Sequence, residues 1–215
     1  MKKNIAFLLL LLFLQALSIS AKSMLEIWKS MPDSMLPYID RNHRQEMTDF
    51  IVMGLKGDVD NLLQGKSIMD TLTQSYIHVT LNESAIMQLR RLPFKGGDSL
   101  VCVVRTWKGP VMESEVSFYN QDWQALDTHS MIESGSLQAL VPSLLVRPDT
   151  MSLSRFVELK GKFDPAMVNA RLLVDSDDLE VTLSIPEHNS AIINELNAVV
   201  RLTRLKWDGE KYNKY

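Results

Sequence analysis

Four closely spaced segments with strand patterns constrain this fold more than any other feature of the sequence. The segments are 75–81, 85–92, 99–107 and 111–119. In the first, Ile77, Val79 and Leu81 alternate with other residues, which is the period of a half-buried strand. The third is apolar throughout Leu100 to Val104, which favours a central position in the sheet. Because short turns join the segments, the sequence predicts an antiparallel meander of four strands.

An amphipathic helix is predicted directly before this meander. Its apolar residues share one face and are Met47, Phe50, Ile51 and Leu55. Asp33 or Asp40 is a candidate N-cap, and Gly54 or Gly57 a candidate end of the helix. Residues 58–64 are predicted to add a short helical turn. A sheet with an apolar face must bury it, so we expect the long helix to cover one face of the meander.

The second half of the sequence repeats the plan on a smaller scale. After an irregular segment with Pro142 and Pro148, a helix is predicted near 153–160 and another over 190–197. Strands are predicted at 167–174, 179–185, 199–207 and, after the Asp208-Gly209 turn, up to Tyr212. The predicted fold class is therefore α+β, with tandem helix-plus-antiparallel-sheet units of four strands each. The units are 22–126 and 151–215, joined by a linker at 127–150.

A short internal echo leaves two interpretations open. Val79-Thr80-Leu81 recurs as Val181-Thr182-Leu183, and Trp107-Lys108-Gly109 is echoed by Trp207-Asp208-Gly209. The nearly equal offsets fit an internal duplication. Residues such as Val and Thr are also common in strands for ordinary reasons of strand chemistry, which explains the echo without duplication.

The N-terminus has the pattern of an export signal. Lys2 and Lys3 precede an apolar run from Ile5 to Leu14, and small residues then allow cleavage after Ser20 or Ala21. The run is short for a membrane span, so residues 1–21 are predicted to be a signal peptide and not an anchor. We therefore expect an exported protein, periplasmic or extracellular, with no membrane span in the mature chain.

Charge and cysteine content exclude several classes of function. The chain has 23 Lys and Arg against 26 Asp and Glu, so no basic surface for nucleic acid is expected. The single cysteine, Cys102, excludes both a disulfide framework and a cysteine-based zinc site. Because Cys102 lies within the apolar run Leu100 to Val104, it is predicted to be buried.

Motifs for metal binding and catalysis are not found in the sequence. Asp175-Ser176-Asp177-Asp178 begins like a calcium loop, but Glu180 and Pro186 stand where Gly and Glu are required. The histidines show no metal-ligand spacing, and His78 is predicted to be a surface residue of its strand. Ser134 lacks the context of a nucleophile elbow, and no glycine-rich loop precedes a helix. We therefore predict no catalytic residue, metal or cofactor.

Two sets of side chains carry the remaining hypotheses about sites. Large aromatic residues lie at strand ends or turns, where they fit either an interaction surface or caps of the sheet core: Trp107, Tyr119, Trp123 and Trp207. Glu113 and Glu115 share one face of a strand, which fits either the carboxylate pair of a glycosidase or ordinary charge on an edge strand.

Several segments together resemble a family of exported proteins of unknown function from Bacteroidales. They span roughly 24–160 and are Ser30 to Tyr38, Arg41, Arg44 to Asp49, Arg90 to Pro93, Asp98 to Val104, Thr106, Gly109-Pro110, Ser117 to Tyr119 and Trp123. The family has no assigned activity, so the resemblance implies no functional residue. Where that family has a cysteine and an acidic residue near the Gly-Pro turn, this sequence has Lys108, Met112 and Glu113. The tandem plan is also similar to the architecture of beta-lactamase-inhibitor-like proteins, a likeness of fold that implies no function.

The sequence favours an exported, non-enzymatic binding or cell-envelope-associated protein, with a protein or glycan of the envelope as partner. One alternative is a hydrolase of cell-envelope or host glycans that uses carboxylates such as Glu113 and Glu115. A second alternative is a carrier of a small apolar ligand, which requires a closed pocket of about 300 Å³ or more.

Overall fold

The computed structural model describes residues 22–95 and 97–215, so the predicted signal peptide lies outside the described residues. The helices are α1 (Met24–Ser30), α2 (Arg41–Val52), α3 (Thr128–Met131), α4 (Val141–Leu144), α5 (Leu153–Gly161) and α6 (Ser190–Val199). The strands are β1 (Gly57–Asp60), β2 (Lys66–Leu72), β3 (Tyr76–Asn82), β4 (Ala85–Leu92), β5 (Leu100–Trp107), β6 (Glu113–Tyr119), β7 (Val168–Leu172), β8 (Leu179–Leu183), β9 (Thr203–Trp207) and β10 (Tyr212–Lys214). Helices and two antiparallel sheets confirm the predicted α+β class.

The first sheet contains six strands in the order β1 to β6, each antiparallel to the next. The prediction of four strands was wrong, because β1 and β2 also belong to this sheet. Residues 58–64, predicted as helical, form most of β1 and the turn that follows it. With four residues and one buried apolar side chain, Val59, β1 is too short to show a period. The run Leu100 to Val104 is fully buried on β5, which is an interior strand between β4 and the edge strand β6.

Helices α1 and α2 cover one face of the first sheet, and α2 is the long helix for which this was predicted. Asp40 is the N-cap of α2 and accepts hydrogen bonds from the backbone N–H groups of Asn42 and His43. The helix ends before Gly54, whose φ of +74° suits glycine. Trp28 and Met47 of the helices pack in one buried cluster with residues of β2 to β5.

The second sheet has the order β10-β9-β8-β7 and all its neighbouring strands are antiparallel, which confirms four strands here. Its edge strand β7 lies against β4, β5 and β6 of the first sheet. One buried cluster joins apolar residues of both sheets, including Cys102, Phe118 and Val181. The second sheet is therefore built onto the face of the first sheet that α1 and α2 leave free.

The segment 127–150 differs from the irregular linker expected of it. It contains α3, a 3₁₀ turn at Gln138–Leu140 and α4, and it buries Leu137, Leu140 and Leu144 in the cluster that joins the sheets. Its leucines supply apolar area that the small second sheet needs for its own core. The division of the chain into the units 22–126 and 151–215 stays a prediction, and the shared cluster favours a single unfolding transition.

The internal echo falls on different positions in the two sheets. Val79 and Trp107 lie on β3 and β5, which β4 separates, whereas Val181 and Trp207 lie on the adjacent strands β8 and β9. The repeated tripeptides therefore reflect the similar amino-acid composition of strands in two sheets of different topology. Among the described residues, no helix is both long and apolar enough to cross a membrane.

Candidate functional site

The candidate site is a cleft of about 520 Å³ where the second sheet meets the first. Its lining comes from β2, β3 and β4, from β7 and β9, and from the turn after β7: Asp70, Thr71, Tyr76, His78, Gln88, Arg171, Leu172, Leu173, Val174, Asp175, Ser176 and Arg204. Both sheets therefore contribute polar side chains to one concave surface.

Polar contacts along β7 join the sheets beside the cleft. The backbone N–H of Ala170 donates to Ser114 Oγ at 2.9 Å, and that of Leu172 donates to Gln88 Oε1 at 3.1 Å. Gln88 in turn donates from Nε2 to the hydroxyl of Tyr76 at 2.7 Å. Side chains of the first sheet thus satisfy backbone donors that an edge strand would otherwise expose.

Arg90 fixes the turn at one end of the cleft. Its buried guanidinium donates from Nε to Asp177 Oδ1 at 2.8 Å, and from Nη1 to the carbonyl oxygens of Leu173 and Val174 at 3.1 and 2.8 Å. Three hydrogen bonds from one side chain restrict the turn 173–177. The cleft wall that this turn forms is therefore preorganised.

The floor of the cleft carries a paired histidine and aspartate. A β-bulge at Met69/Thr71 makes Asp70 the extra residue of β2 next to His78 of β3. His78 Nδ1 and Asp70 Oδ2 are 2.7 Å apart, and an ionised carboxylate makes Nδ1 the donor. In a neutral ring the other nitrogen, Nε2, is then an acceptor, whereas in the imidazolium it is a second donor.

The wall of the cleft carries two arginines that share one carboxylate. Arg171 of β7 and Arg204 of β9 are both directly opposite Glu180 of β8. Arg171 Nη2 donates to Glu180 Oε2, and Arg204 donates from Nε to Oε1 at 2.9 Å, with its Nη2 2.8 Å from the same oxygen as an ion pair. The arginine side chains are 63% and 54% exposed, while the glutamate beneath them is buried.

Electrostatics keep this triad positively charged. The hydrogen bond from Arg171, assisted by one from Arg204, holds the pKa of Glu180 below its ordinary value although burial acts in the opposite direction. One negative and two positive charges leave a net charge of about +1 near neutral pH. Among the described residues, no cluster of three or more His, Cys, Asp or Glu could hold a metal ion.

The four predicted surface aromatics do not come together. Trp123 is buried near the helices and donates from Nε1 to the Ile27 carbonyl at 3.0 Å. Trp207 is buried in the cluster between the two sheets, with its ring centroid 6.1 Å from that of Phe118. Its Nε1 donates a hydrogen bond to the Pro93 carbonyl at 2.6 Å. Both therefore cap the core, the second of the two interpretations above.

The other two aromatics lie at opposite ends of the β5–β6 pair. Trp107 pairs with Glu113, and Tyr119 pairs with Val101. Trp107 is 41% exposed, and Tyr119 is partly buried with its ring centroid 5.5 Å from that of Trp123. The four residues consequently form no single binding patch.

The remaining predicted residues have simple placements. Cys102 is buried, as predicted, and desolvation raises the pKa of its thiol. Glu113 and Glu115 are both exposed on the edge strand β6. Asp177 accepts the hydrogen bond from Arg90, while Asp175 lines the cleft.

Sequence reasoning missed the cleft residues, although one signal was present. The predicted hairpin joins the strands that carry Arg171 and Glu180, but a turn at 175–178 would pair Glu180 with Leu173, whereas the observed loop 173–178 is centred one residue earlier and pairs the opposite charges of Arg171 and Glu180. Asp70, the partner of His78, could not be predicted in this way, because no strand pattern was recognised for β2. The contribution of Arg204 depends on the order of strands in the second sheet.

A family profile described as a protein of unknown function (DUF3256) matches residues 16–212. The chain belongs to this family. The match confirms the predicted resemblance to a family without an assigned activity. A search among curated proteins finds no significant match for this DUF3256 chain.

A solved structure supports the DUF3256 fold. The chain is similar to the structure of a domain of an uncharacterized protein from Porphyromonas gingivalis W83, with a TM-score of 0.72 and 19% sequence identity. The similarity covers 91% of this chain and 98% of the other. At this identity the likeness concerns the fold alone.

Proposed function

We propose that this protein is an exported, non-enzymatic binding protein of the cell envelope, and that its ligand lies in the inter-sheet cleft. The observation that carries the proposal is the preorganised polar lining of the cleft. Arg171 and Arg204 are held by one buried carboxylate, and Arg90 fixes the adjacent turn. The volume of about 520 Å³ lies within the usual range of ligand sites.

The arrangement of His78 favours binding over nucleophilic catalysis. Asp70 orients its ring, as a carboxylate does in a catalytic triad. Within the described residues, however, no hydroxyl or thiol group forms a hydrogen bond with Nε2 of His78, which an activated nucleophile needs. The exposed Glu113 and Glu115 lie outside the cleft, and no observation favours the glycan hydrolase.

A second candidate function, carriage of a small apolar ligand, is favoured by a separate cavity of about 350 Å³. It lies near the C-terminus and includes apolar or aromatic side chains of Ile132, Leu140, Leu205 and Tyr212. Its volume exceeds the threshold of about 300 Å³ for ligand pockets, but the cavity is open to solvent and not closed.

Thermal unfolding with added ligands tests the two candidates together. The probes are soluble neutral and acidic oligosaccharides for the cleft and dodecanoate for the apolar cavity. A ligand that binds only the folded protein raises its Tm. We expect at least one oligosaccharide to raise the Tm of the wild type, and to raise it much less in an Arg171→Gln, Arg204→Gln double variant.

Arg155→Gln is the matched control, because Arg155 is also an ion-paired surface arginine but lies on α5, outside the cleft. Its response should equal that of the wild type. If no oligosaccharide raises the Tm, or if the double variant responds fully, the cleft proposal is wrong. A rise with dodecanoate alone would favour the apolar carrier.

Cell fractionation tests the export part of the proposal separately. We expect the protein outside the cytoplasm, with an N-terminus at Ala21 or Lys22 after signal-peptide removal. An unprocessed chain confined to the cytoplasm would contradict it.

A further inference from the structure

We infer that the ligand of the inter-sheet cleft is a hydroxyl-bearing carboxylate, a sugar-acid residue of an acidic glycan. This inference rests on the proposed function and names the chemical class of its ligand. It follows from the guanidinium donors left free on the cleft wall, from the groups on its floor and from the position of the floor strands within the sheet.

The wall has more guanidinium donors than Glu180 can satisfy. Glu180 engages Nη2 of Arg171 together with Nε and Nη2 of Arg204. In the part of the chain that the structure describes, Nε and Nη1 of Arg171 and Nη1 of Arg204 have no protein partner. Guanidinium groups recognise carboxylates with strong, directional hydrogen bonds, so the wall favours an anionic group.

The floor presents the carboxylate of Asp70, the ring of His78 and the hydroxyl of Thr71. Asp70 is a carboxylate and accepts hydrogen bonds, and Nε2 of His78 is also an acceptor when the ring is neutral and donates to Asp70 from Nδ1. Both line the same cleft as the arginines. A ligand that satisfies floor and wall together must donate hydrogen bonds as well as carry negative charge. Vicinal hydroxyls beside a carboxylate meet both requirements.

The floor strands favour a glycan over an extended peptide. Both β2 and β3 are interior strands, paired on each side, so their backbone N–H and C=O groups are engaged in the sheet. A peptide therefore cannot add a strand here, which is the usual way a sheet binds extended chains. Recognition must come from side chains that stand on the sheet face.

A second cavity lies farther along the same two strands. It has a volume of about 590 Å³ and includes Ile68 and Thr80, which are paired across β2 and β3. Thr80 is two residues from His78, so it lies one repeat along the same face of β3. The surface is therefore long enough for an oligosaccharide whose acidic unit contacts the arginines.

Titration calorimetry with paired probes tests the inference on the full purified protein. Each acidic probe has an uncharged counterpart with the same hydroxyls: trigalacturonate with its methyl ester, and sialyllactose with its methyl ester. Tri-aspartate supplies carboxylates without hydroxyls. We expect at least one acidic sugar to bind about tenfold or more tightly than both its counterpart and tri-aspartate.

The arginine variants locate the effect. Arg204→Gln keeps an amide that can donate to Glu180, and it should weaken binding of the acidic sugar about tenfold while changing the counterpart less than about twofold. Arg155→Gln should change neither. The Tm of each variant confirms folding before titration.

The outcomes separate this inference from the function on which it rests. If a neutral sugar binds as tightly as its acidic partner and the cleft variants weaken both, the binding function stands and the acidic ligand is wrong. If tri-aspartate binds as tightly with the same arginine dependence, the sugar assignment is wrong. If no probe gives binding that depends on Arg171 or Arg204, both proposals fail.

Discussion

Replacing Arg90 with methionine tests whether the two sheets form one cooperative structure. Arg90 is buried at the junction, where it contacts Asp177 and the carbonyl oxygens of Leu173 and Val174. Arg90→Met keeps much of the apolar stem but leaves these three acceptors without their donor. Breaking a buried ion pair from one side costs about 3–5 kcal/mol. Because the Asp177 side chain is 35% exposed, water can solvate it in the variant. We therefore expect the free energy of unfolding to fall by about 3 kcal/mol.

Urea unfolding followed by circular dichroism and tryptophan fluorescence measures this loss. The free energy of unfolding should fall with the m-value unchanged, and both signals should share one midpoint. Trp28 lies in the cluster under the helices and Trp207 in the cluster between the sheets, so fluorescence reports on both layers.

The neighbouring Arg91 provides the matched control. It is partly buried and donates one hydrogen bond, from Nη1 to the Lys22 carbonyl at 2.8 Å, so Arg91→Met should cost only about 1 kcal/mol. The reasoning is refuted if Arg90→Met costs no more than Arg91→Met. Two separate transitions would instead indicate that 22–126 and 151–215 fold independently.

Three further predictions concern packing, reactivity and pH. A Cβ at Gly57 would lie 2.9 Å from the Met69 carbonyl oxygen and 2.7 Å from Ile51 Cγ1, so Gly57→Ala should lower the free energy of unfolding by about 1–3 kcal/mol; an unchanged urea midpoint would contradict this close packing. Burial raises the pKa of the Cys102 thiol, so native protein should react with a maleimide only as fast as it unfolds, and rapid labelling without denaturant would show that the thiol is accessible. The folded pKa of Glu180 lies below its ordinary value of 4.5, so its ion pairs contribute stability above that value, which is lost as the pH falls through the lowered folded pKa. Glu180→Gln should therefore flatten the acid limb of the stability curve measured by urea unfolding, and an identical limb in both proteins would refute the assignment.

Long and strongly patterned elements could be predicted from the sequence. β5 was recognisable because both of its faces are buried, and α2 because its apolar residues share one face and Asp40 precedes it. In contrast, β1 has four residues and one buried apolar side chain, and a pattern of period two is not visible in so short a strand.

The site could be predicted much less well than the fold. Aromatic type at a strand end does not determine exposure, which is why Trp123 and Trp207 are core residues while Trp107 is partly exposed. The cleft depends on how β7 lies across the first sheet, and no local pattern records that long-range packing. Arg171 and Arg204 of the cleft are 33 positions apart in sequence and lie on different strands. Only the order of strands in the second sheet brings them to the same carboxylate.

The most direct test of the account is to follow the arginine side-chain N–H signals by NMR during titration with an acidic oligosaccharide. If the inter-sheet cleft is the binding site, the Nε–Hε signals of Arg171 and Arg204 shift in a saturable manner, while that of Arg155 stays in place. Saturable binding that leaves both cleft signals unmoved would contradict the account.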